Sequence, residues 1–337
     1  MKCLNIISII GILSCLISQT AFTKEVNVYS YRKPQLLKPM FDVFTKKTGI
    51  TVNTVYAQKG MLERLKNEGN NSPADLIFTV DIGRITNFKK AGLVQAIYSE
   101  ALNANIPSNF RDPDGFWFGL TSRARVIVVS SERIKEGEIS SYEELAQSKW
   151  KGRVCTRQGK HPYMAALTAS VIAAHGSDQA KNWLTGLKNN LARRPQGNDR
   201  AQVKAIFSGI CDVALINHYY LVRMLADPEQ KDSAESVRIV FPNQEDRGTH
   251  MNVSGVSMAK FSPNSKEALK LMEFLASPEG QRLYAEKNGE YPVNADVSPN
   301  PLVKSWGKFK YDTLGLERIG NLRESGVRLA DEVGYND

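Results

Sequence analysis

The sequence contains few of the residues that catalytic and metal sites most often use. It has four histidines and four cysteines among 337 residues, and no two cysteines stand at the C-x-x-C spacing of a thiolate zinc site. The G-x-S-x-G nucleophile elbow, the H-E-x-x-H zinc motif, the Walker phosphate loop and the G-x-G-x-x-G dinucleotide motif are all absent. These absences argue against the common hydrolases, zinc proteases and nucleotide-binding enzymes, and we expect no enzymatic activity.

The amino terminus has the pattern of a secretory signal. Lys2 precedes an apolar stretch from Leu4 to Ile17, small and polar residues follow, and Lys24 is the next charged residue. The apolar stretch is shorter than the ~20 residues that a membrane-spanning helix needs. We therefore predict that residues 1–23 form a signal peptide and that the mature protein is exported.

The chain is basic, with 44 Lys and Arg residues, 35 Asp and Glu residues and a formal net charge of +9. The basic residues are interleaved with acidic ones, and no arginine-rich run occurs. This distribution is not the basic patch of a nucleic-acid-binding protein, so we expect no nucleic acid partner. The net charge instead favours attraction to an anionic ligand or partner.

Cys155 and Cys211 are the cysteines outside the predicted signal peptide. In an oxidising compartment they could pair, although the sequence does not show whether their Cα atoms are close enough. An exported thiol hydrolase that uses one of them with a histidine is the enzymatic alternative. Both cysteines begin apolar strand-like segments, where cysteine is typically a small buried apolar side chain.

Strand-like segments alternate with amphipathic helical segments along the chain. "EVNVYSY", "ITVNTVY" and "ADLIFTV" are predicted strands, separated by helical patterns, and "GRVC" and "CDVALIN" restart the alternation further on. This order predicts an α/β fold with parallel βαβ units. "GFWFGLTSRARVIVVS" is expected to form a long extended pair.

Two lobes account best for the length and the restart of the pattern. The extended segments near Thr121–Ser130 and Thr249–Met258 are the candidate crossings between them. We place residues 24–122 and 249–299 in the N-terminal lobe, and residues 123–248 and 300–337 in the C-terminal lobe. Two crossings would allow the lobes to close on a ligand.

Three tyrosines follow the ends of predicted strands. Tyr163 stands eight residues after Cys155, and Tyr219 stands eight residues after Cys211, with Tyr220 directly behind it. Ligands of open α/β sheets bind beyond the carboxyl ends of the strands, so the three are expected to line one crevice. At a helix start, adjacent side chains diverge by only ~100°, which would let Tyr219 and Tyr220 face one point. The ordinary alternative is a half-buried tyrosine with a hydrogen-bonded hydroxyl.

Three phenolates would suit a small and highly charged cation. A phenolate is a hard anionic oxygen donor, and a free tyrosine has a pKa of ~10, so several ionise at neutral pH only beside a strong Lewis acid. Ferric iron fits, because three phenolates cancel its charge. Calcium would call for carboxylates and carbonyls in a loop.

The chain resembles the periplasmic ferric-ion-binding proteins that deliver iron to ABC importers. The resemblance lies in segments such as "VYSYRKPQLLKPMFDVFTKKTGI", "GLTSRARVIVVS", "CDVALINHYYLVRM" and "GTHMNVSGVSMAK". It implies a two-lobed type II periplasmic-binding-protein fold, with a mixed sheet flanked by helices in each lobe and extended hinge crossings. It also implies a periplasmic monomer, Fe³⁺ held by Tyr163, Tyr219 and Tyr220, and delivery to an inner-membrane ABC permease.

One departure from the family bears on the ligands. Many relatives carry His-Tyr shortly after the first strand, where this chain has Lys33 and Pro34. The resemblance is therefore to the subgroup with three tyrosines, in which carbonate or bicarbonate completes the iron shell. Arg123 and Arg32 are the expected anion-binding residues, because the guanidinium fork suits a planar carbonate, and Arg125 is a possible substitute.

The remaining candidates are expected to support the site from outside it. His161 is interpreted as shaping the turn before Tyr163, and His218 as a neighbour of the ligands. Tyr29 and Tyr31 lie on the first strand and are not expected to be ligands, and Asp81 is expected to cap a helix. The alternative function is a related periplasmic binding protein for another small anion or an organic solute.

Overall fold

The computed structural model describes residues 24–337, and the predicted signal peptide lies outside the described residues. The strands are β1 (Glu25–Ser30), β2 (Thr51–Tyr56), β3 (Leu76–Thr79), β4 (Val94–Gln95), β5 (Phe118–Ser130), β6 (Val154–Cys155), β7 (Val213–Asn217), β8 (Val237–Val240), β9 (Met251–Ala259) and β10 (Tyr291–Pro292). The helices are α1 (Lys38–Thr48), α2 (Met61–Glu68), α3 (Ile82–Lys90), α4 (Glu100–Asn105), α5 (Pro162–His175), α6 (Ser177–Asn189), α7 (Asp199–Phe207), α8 (Tyr219–Leu225), α9 (Lys231–Glu235), α10 (Ser265–Ala276), α11 (Pro278–Asn288), α12 (Pro301–Ser305) and α13 (Leu316–Glu332). No helix within this range is long and apolar enough to cross a membrane.

The first lobe is built on parallel strands with helices on both faces. β1 pairs in parallel with β2 and β3, and β9 adds to β3 in the antiparallel direction. Side chains of β1 alternate between the two faces: Val26 and Val28 join one core with α1 and α10, and Tyr29 joins another with α2. Asp81 caps α3, accepting the backbone N–H of Arg84 at 3.1 Å, as the sequence predicts.

The second lobe repeats this alternation. β7 pairs in parallel with β6 and antiparallel with β5. Val213 and Leu215 pack against α5 and α6, and Ala214 and Ile216 face the opposite core with α7 and α8. Since both faces are covered, β7 is buried along its whole length.

Strand β5 joins the two lobes and is a single strand. The expectation of an extended pair in this segment is wrong, because Phe118–Ser130 form one continuous strand, with a register shift against β9 between Gly119 and Thr121. Its first half pairs with β9, and its second half pairs with β7 and β8. The two segments expected to cross between lobes are therefore β5 and β9, which pair with each other at the junction. This confirms the extended hinge crossings of the predicted fold.

Helix α13 contacts both lobes. Its first part, with Leu316 and Ile319, packs into the core of the first lobe, and its end, with Leu329, packs into the core of the second. The lobe boundaries given above remain a prediction, since this helix is shared between the two cores. A Cβ atom on Gly326 would lie 2.7 Å from the carbonyl oxygen of Ala165 in α5, so α13 and α5 are in backbone contact there.

This close contact can be tested by enlarging Gly326. We expect Gly326→Val to lower the free energy of unfolding by about 1–3 kcal/mol, because a backbone oxygen has no room to move away from the new side chain. Urea unfolding measures the change. Gly315→Val is the matched control, since a Cβ atom there meets nothing within 4 Å. Equal stabilities of the two variants would contradict the packing described.

Candidate functional site

Tyr219 and Tyr220 occupy the first turn of α8. Strand β7 ends at Asn217, and His218 already has helical backbone angles, with φ −52° and ψ −40°. The two tyrosine rings stack with centroids 4.5 Å apart and an interplanar angle of 27°. The strand therefore turns into a helix before the pair, and both rings lie on the same side, as the sequence predicts.

Tyr163 lies in the first turn of α5. Pro162 opens this helix, and His161 caps it by accepting the Tyr163 backbone N–H at its Nδ1 atom, 3.2 Å away. The Tyr163 hydroxyl lies 3.3 Å from the hydroxyl of Tyr219. Two helix starts from different strand ends thus bring the three phenols to one place.

The phenols are hard to ionise without a cation. Burial raises the pKa of Tyr219 well above its usual value, and the neighbouring Tyr163 and Tyr220 raise it further. Burial, followed by Tyr163 and Asp199, raises the pKa of Tyr220 to about 12. Tyr219 and Tyr220 are therefore neutral at neutral pH, and a cation that replaces their protons would relieve the cost of ionising them.

Guanidinium groups surround the three rings. The Cζ atoms of five arginines lie 4.9–6.0 Å from a tyrosine ring centroid: Arg123, Arg125 and Arg157 from Tyr163, Arg200 from Tyr220, and Arg223 from Tyr219. Arg157, Arg200 and Arg223 are not among the residues predicted from the sequence. Arg223 stands four residues after Tyr219 on α8, and this helical spacing is a signal that could have found it.

Arg32 and Arg123 meet at one serine. Both donate to Ser254 Oγ, at 2.8 Å from Arg32 and 2.7 Å from Arg123. Arg123 also donates to the Val253 carbonyl oxygen at 3.0 Å, and Arg32 forms a two-pronged ion pair with Glu290 at 3.1 and 3.0 Å. Each arginine keeps a buried Nε–H without a hydrogen-bond partner among the described residues. Such donors suit an added anion.

Arg125 supports the end of β7 from behind. Its guanidinium donates to Asp199 Oδ2 at 3.0 Å, to Asn217 Oδ1 at 3.1 Å and to the Leu215 carbonyl oxygen at 3.0 Å. The Asn217 backbone N–H donates to the same Asp199 oxygen at 3.0 Å. This network fixes the strand end immediately before the tyrosine pair.

His218 is fully hydrogen-bonded to backbone. Its Nδ1 atom accepts the Ala124 N–H at 3.1 Å, so Nε2 carries the proton that it donates to the Gly289 carbonyl oxygen at 3.1 Å. Burial lowers the pKa of His218 to about 4. Burial, then Arg157, lowers the pKa of His161 to about 2. Both imidazoles are therefore neutral at neutral pH, and His218 has no free ring nitrogen.

Two further tyrosines come from the first strand and its end, since Tyr29 lies in β1 and Tyr31 directly follows it. The Tyr29 hydroxyl donates to Glu68 at 2.8 Å. The Tyr31 hydroxyl accepts the Leu62 N–H at 3.3 Å, and Arg84 lies 4.3 Å from its ring centroid.

A cavity of about 330 Å³ connects the tyrosines with the anion-binding candidates. Its lining comes from both lobes and comprises Tyr31, Arg32, Lys33, Leu36, Tyr56, Val80, Arg123, Tyr163, Asn198, Arg200, Tyr219, Tyr220, Arg223, Ser254 and Glu290. Arg125, His161 and His218 lie behind this lining. Within residues 24–337, no group of three or more His, Cys, Asp or Glu side chains could hold a metal ion. The three phenols are therefore the group of neighbouring side chains in the cleft that could bind a metal ion through oxygen.

Cys155 and Cys211 form a disulfide, with their Cα atoms 6.0 Å apart. The bond joins the end of β6 to the residues before β7, and these strands lead to Tyr163 and Tyr219. The sequence left this pairing open. Because both cysteines are in this bond, neither provides the free thiol that a thiol hydrolase would need.

A polar cleft between two α/β lobes joined by paired strands defines a two-lobed solute-binding protein. Residues 71–312 match the family model described as bacterial extracellular solute-binding protein, and the chain belongs to this family. Its fold is the type II periplasmic-binding-protein fold, as the sequence predicts, and the chain is a binding protein and not an enzyme.

Relatives of known function and structure resemble the chain over most of its length. Iron uptake protein A1 of Synechocystis is 45% identical over 315 residues, which cover 93% of this chain and 88% of the relative. Apo ferric ion-binding protein A of Pasteurella haemolytica is 50% identical with a TM-score of 0.89, covering 93% of this chain and 99% of that structure. FutA of Trichodesmium, solved with iron and citrate ligands, is 43% identical with a TM-score of 0.88, covering 92% and 99%.

The disulfide makes a testable contribution to stability. We expect the double variant Cys155→Ala, Cys211→Ala to lose about 2–4 kcal/mol of unfolding free energy, because the bond restricts a long loop in the unfolded chain. Chemical unfolding measures the loss, and mass spectrometry without reductant verifies the bond. Reductant should bring the wild-type protein down to the stability of the variant and leave the variant unchanged. A wild-type protein indifferent to reductant would contradict this expectation.

Proposed function

We propose that this protein binds ferric iron in the cleft between its lobes and delivers it to an inner-membrane ABC permease. Tyr163, Tyr219 and Tyr220 hold the ion as phenolates, and Arg32 and Arg123 hold an anion that completes the metal shell. The observation that carries the proposal is the convergence of the phenols: a 3.3 Å contact between the Tyr163 and Tyr219 hydroxyls, with the Tyr220 ring stacked on Tyr219.

The chemistry of these donors supports ferric iron over other cations. Phenolate oxygen is hard and anionic, and three phenolates neutralise a trivalent ion in a cleft whose other charged lining residues are five basic side chains and Glu290. A divalent cation would leave excess phenolate charge or keep a phenol protonated. The names of the relatives, iron uptake protein and ferric ion-binding protein, support the same cargo.

The arginine pair supports a planar anion as the second component. The unpartnered Nε–H groups of Arg32 and Arg123 are buried donors beside the phenols, and carbonate or bicarbonate offers oxygens in the geometry of the guanidinium fork. The iron and citrate ligands of the Trichodesmium relative show that a carboxylate anion accompanies iron in one member of the family. Carbonate or bicarbonate is our proposed anion for this chain.

Delivery to a permease follows from the family. A solute-binding protein outside the inner membrane hands its cargo to an ABC permease, and we propose a periplasmic monomer in this role, with no nucleic acid partner. The predicted signal peptide supports the location. Loss of the anion or protonation of the phenolates would loosen the metal and provide a release route.

A binding protein for another small anion or an organic solute is the second candidate. The observation that favours it is the set of arginines around the cleft, which would attract an anion even without a metal. The colour of the loaded protein distinguishes the two candidate functions, because only phenolate bound to ferric iron gives a visible charge-transfer band.

The ligand assignment predicts the effect of removing each hydroxyl. Titration of the iron-free protein with chelated ferric iron in bicarbonate buffer should produce a visible phenolate-to-iron band. Tyr163→Phe, Tyr219→Phe and Tyr220→Phe should each reduce the band and weaken iron binding by more than about tenfold. Loss of a residue that supports a metal ligand already weakens metal binding by about tenfold or more, and loss of the ligand itself should weaken it at least as much. Tyr31→Phe is the matched control, since Tyr31 lines the same cavity and its hydroxyl accepts from Leu62.

No colour in the wild-type protein would reject ferric iron as the cargo. Full colour in the Tyr219→Phe or Tyr220→Phe variant would reject that residue as a ligand.

Iron binding should also release protons. The pKa of Tyr220 is raised to about 12 and that of Tyr219 is raised well above its usual value, so both are protonated at neutral pH before iron arrives. Binding of these two residues as phenolates therefore displaces at least two protons per ion, and iron affinity must rise with pH across the neutral range. A pH-stat titration, corrected for the protons of the chelator, measures the release. An affinity independent of pH would contradict phenolate ligation.

A further inference from the structure

Glu290 is an acidic side chain buried among the residues of the anion site. It is 3% exposed, and among the described residues that line the cavity it is the one that carries a carboxylate. Its two oxygens accept from Arg32 at 3.1 and 3.0 Å, and one of them also accepts the hydroxyl of Thr121. Arg32, Arg123 and Thr121 hold the pKa of Glu290 at about 2 against the effect of burial, so the side chain is ionised.

The charge of Glu290 acts on both arginines. Arg32 and Arg123 share Ser254 Oγ, so the two guanidinium groups and the carboxylate form one cluster. Two positive charges and one negative charge leave the cluster with a formal charge of +1. An incoming anion must approach within a few ångströms of the carboxylate, where water screens little of the repulsion.

The carboxylate is held in place by its neighbours along the chain. The Gly289 carbonyl oxygen accepts from His218, and a Cβ atom on Gly289 would lie 2.8 Å from a methyl carbon of Val222 in α8. On the other side, Tyr291 pairs with Ser122 of β5. Glu290 is thus fixed between the helix that carries the tyrosine pair and the strand that carries Arg123.

We propose that Glu290 determines which anion binds at the Arg32–Arg123 pair by offsetting one of the two guanidinium charges of that pair. The proposal rests on the anion site of the proposed function. With Glu290 in place, the cluster of these three side chains keeps one uncompensated positive charge, and each further negative charge on the anion is repelled by the carboxylate. The class of anion selected is therefore a small monoanion with planar oxygens, such as bicarbonate, over a dianion.

Anion binding to the iron-free protein tests this charge balance. Formate is a planar monoanion, and sulfate is a dianion at every working pH, so calorimetric titrations with the two sodium salts at fixed ionic strength give a preference ratio. In Glu290→Gln the ratio of sulfate to formate affinity should rise by about tenfold or more, because the added charge on sulfate no longer faces a carboxylate. Thr121→Val, which removes a hydrogen bond to Glu290 and no charge, should leave the ratio unchanged.

Further variants localise the effect. Arg32→Gln combined with Arg123→Gln should abolish binding of both anions, and persistence of binding would overturn the proposal. An unchanged ratio in Glu290→Gln, or the absence of any anion binding in both the wild-type protein and this variant, would also overturn it. Binding of sulfate by the variant alone supports it. Thermal unfolding verifies that each variant is folded.

The wild-type protein provides a second measurement that needs no variant. It should bind formate at least as tightly as sulfate, and stronger binding of sulfate would overturn the proposal. None of these titrations contains iron. The absence of the iron-dependent colour would therefore contradict the proposed cargo. An unchanged ratio of sulfate to formate affinity in Glu290→Gln would contradict the proposed role of Glu290.

Discussion

The site depends on the two hydrogen bonds of the His218 imidazole. One ring nitrogen accepts from the backbone of Ala124 in β5, and the other donates to the backbone of Gly289. These bonds fix the point at which β7 becomes α8, and the first two helical residues are Tyr219 and Tyr220. They also attach this point to the strand that carries Arg123 and to the residue before Glu290. One neutral side chain thus links the tyrosine pair to the strand of Arg123 and to the segment of Glu290.

Charge compensation explains why so many guanidinium groups can surround buried phenols. Tyr219 and Tyr220 are neutral without a cation. The guanidinium groups of Arg32, Arg123 and Arg125 are held by Asp199, Glu290, Ser254 and backbone carbonyl oxygens. A trivalent cation on three phenolates adds no net charge to this arrangement, so the arginines remain available to an anion. The cleft can therefore take a cation and an anion together, each removing the cost that the other would meet alone.

The sequence predicts the elements and the tyrosines well because both depend on local patterns. The buried run of β7 followed by a helical pattern is enough to place Tyr219 and Tyr220 at a strand-to-helix turn, and the equal spacing from Cys155 and Cys211 places Tyr163 beside them. The sequence does not reveal the role of Glu290, because its partners, Arg32 and Thr121, are more than 160 residues away along the chain. No periodicity or motif in "NGEYPVN" marks such a contact.

The anion-site arginines and the disulfide could be predicted from the sequence only in part. The family resemblance predicts Arg32 and Arg123 as anion-binding residues, but their shared contact with Ser254 depends on how β9 pairs with β5. The disulfide was open for the same reason, since Cα separation is a property of the folded chain. The place of Arg223 beside Tyr219, in contrast, could be predicted from the sequence, because the two residues are four positions apart on one helix.

The three phenols all project from α5 and α8, which pack into the two cores of the second lobe, whereas Arg32 follows the first strand of the other lobe. With the ligands proposed above, this separation would set an order of events for the cargo. An arriving ion would meet its three tyrosine ligands on one lobe, so capture would not wait for the lobes to approach. Their approach would then add Arg32 and its anion, which would slow escape, so capture rate and residence time would be controlled by different parts of the molecule.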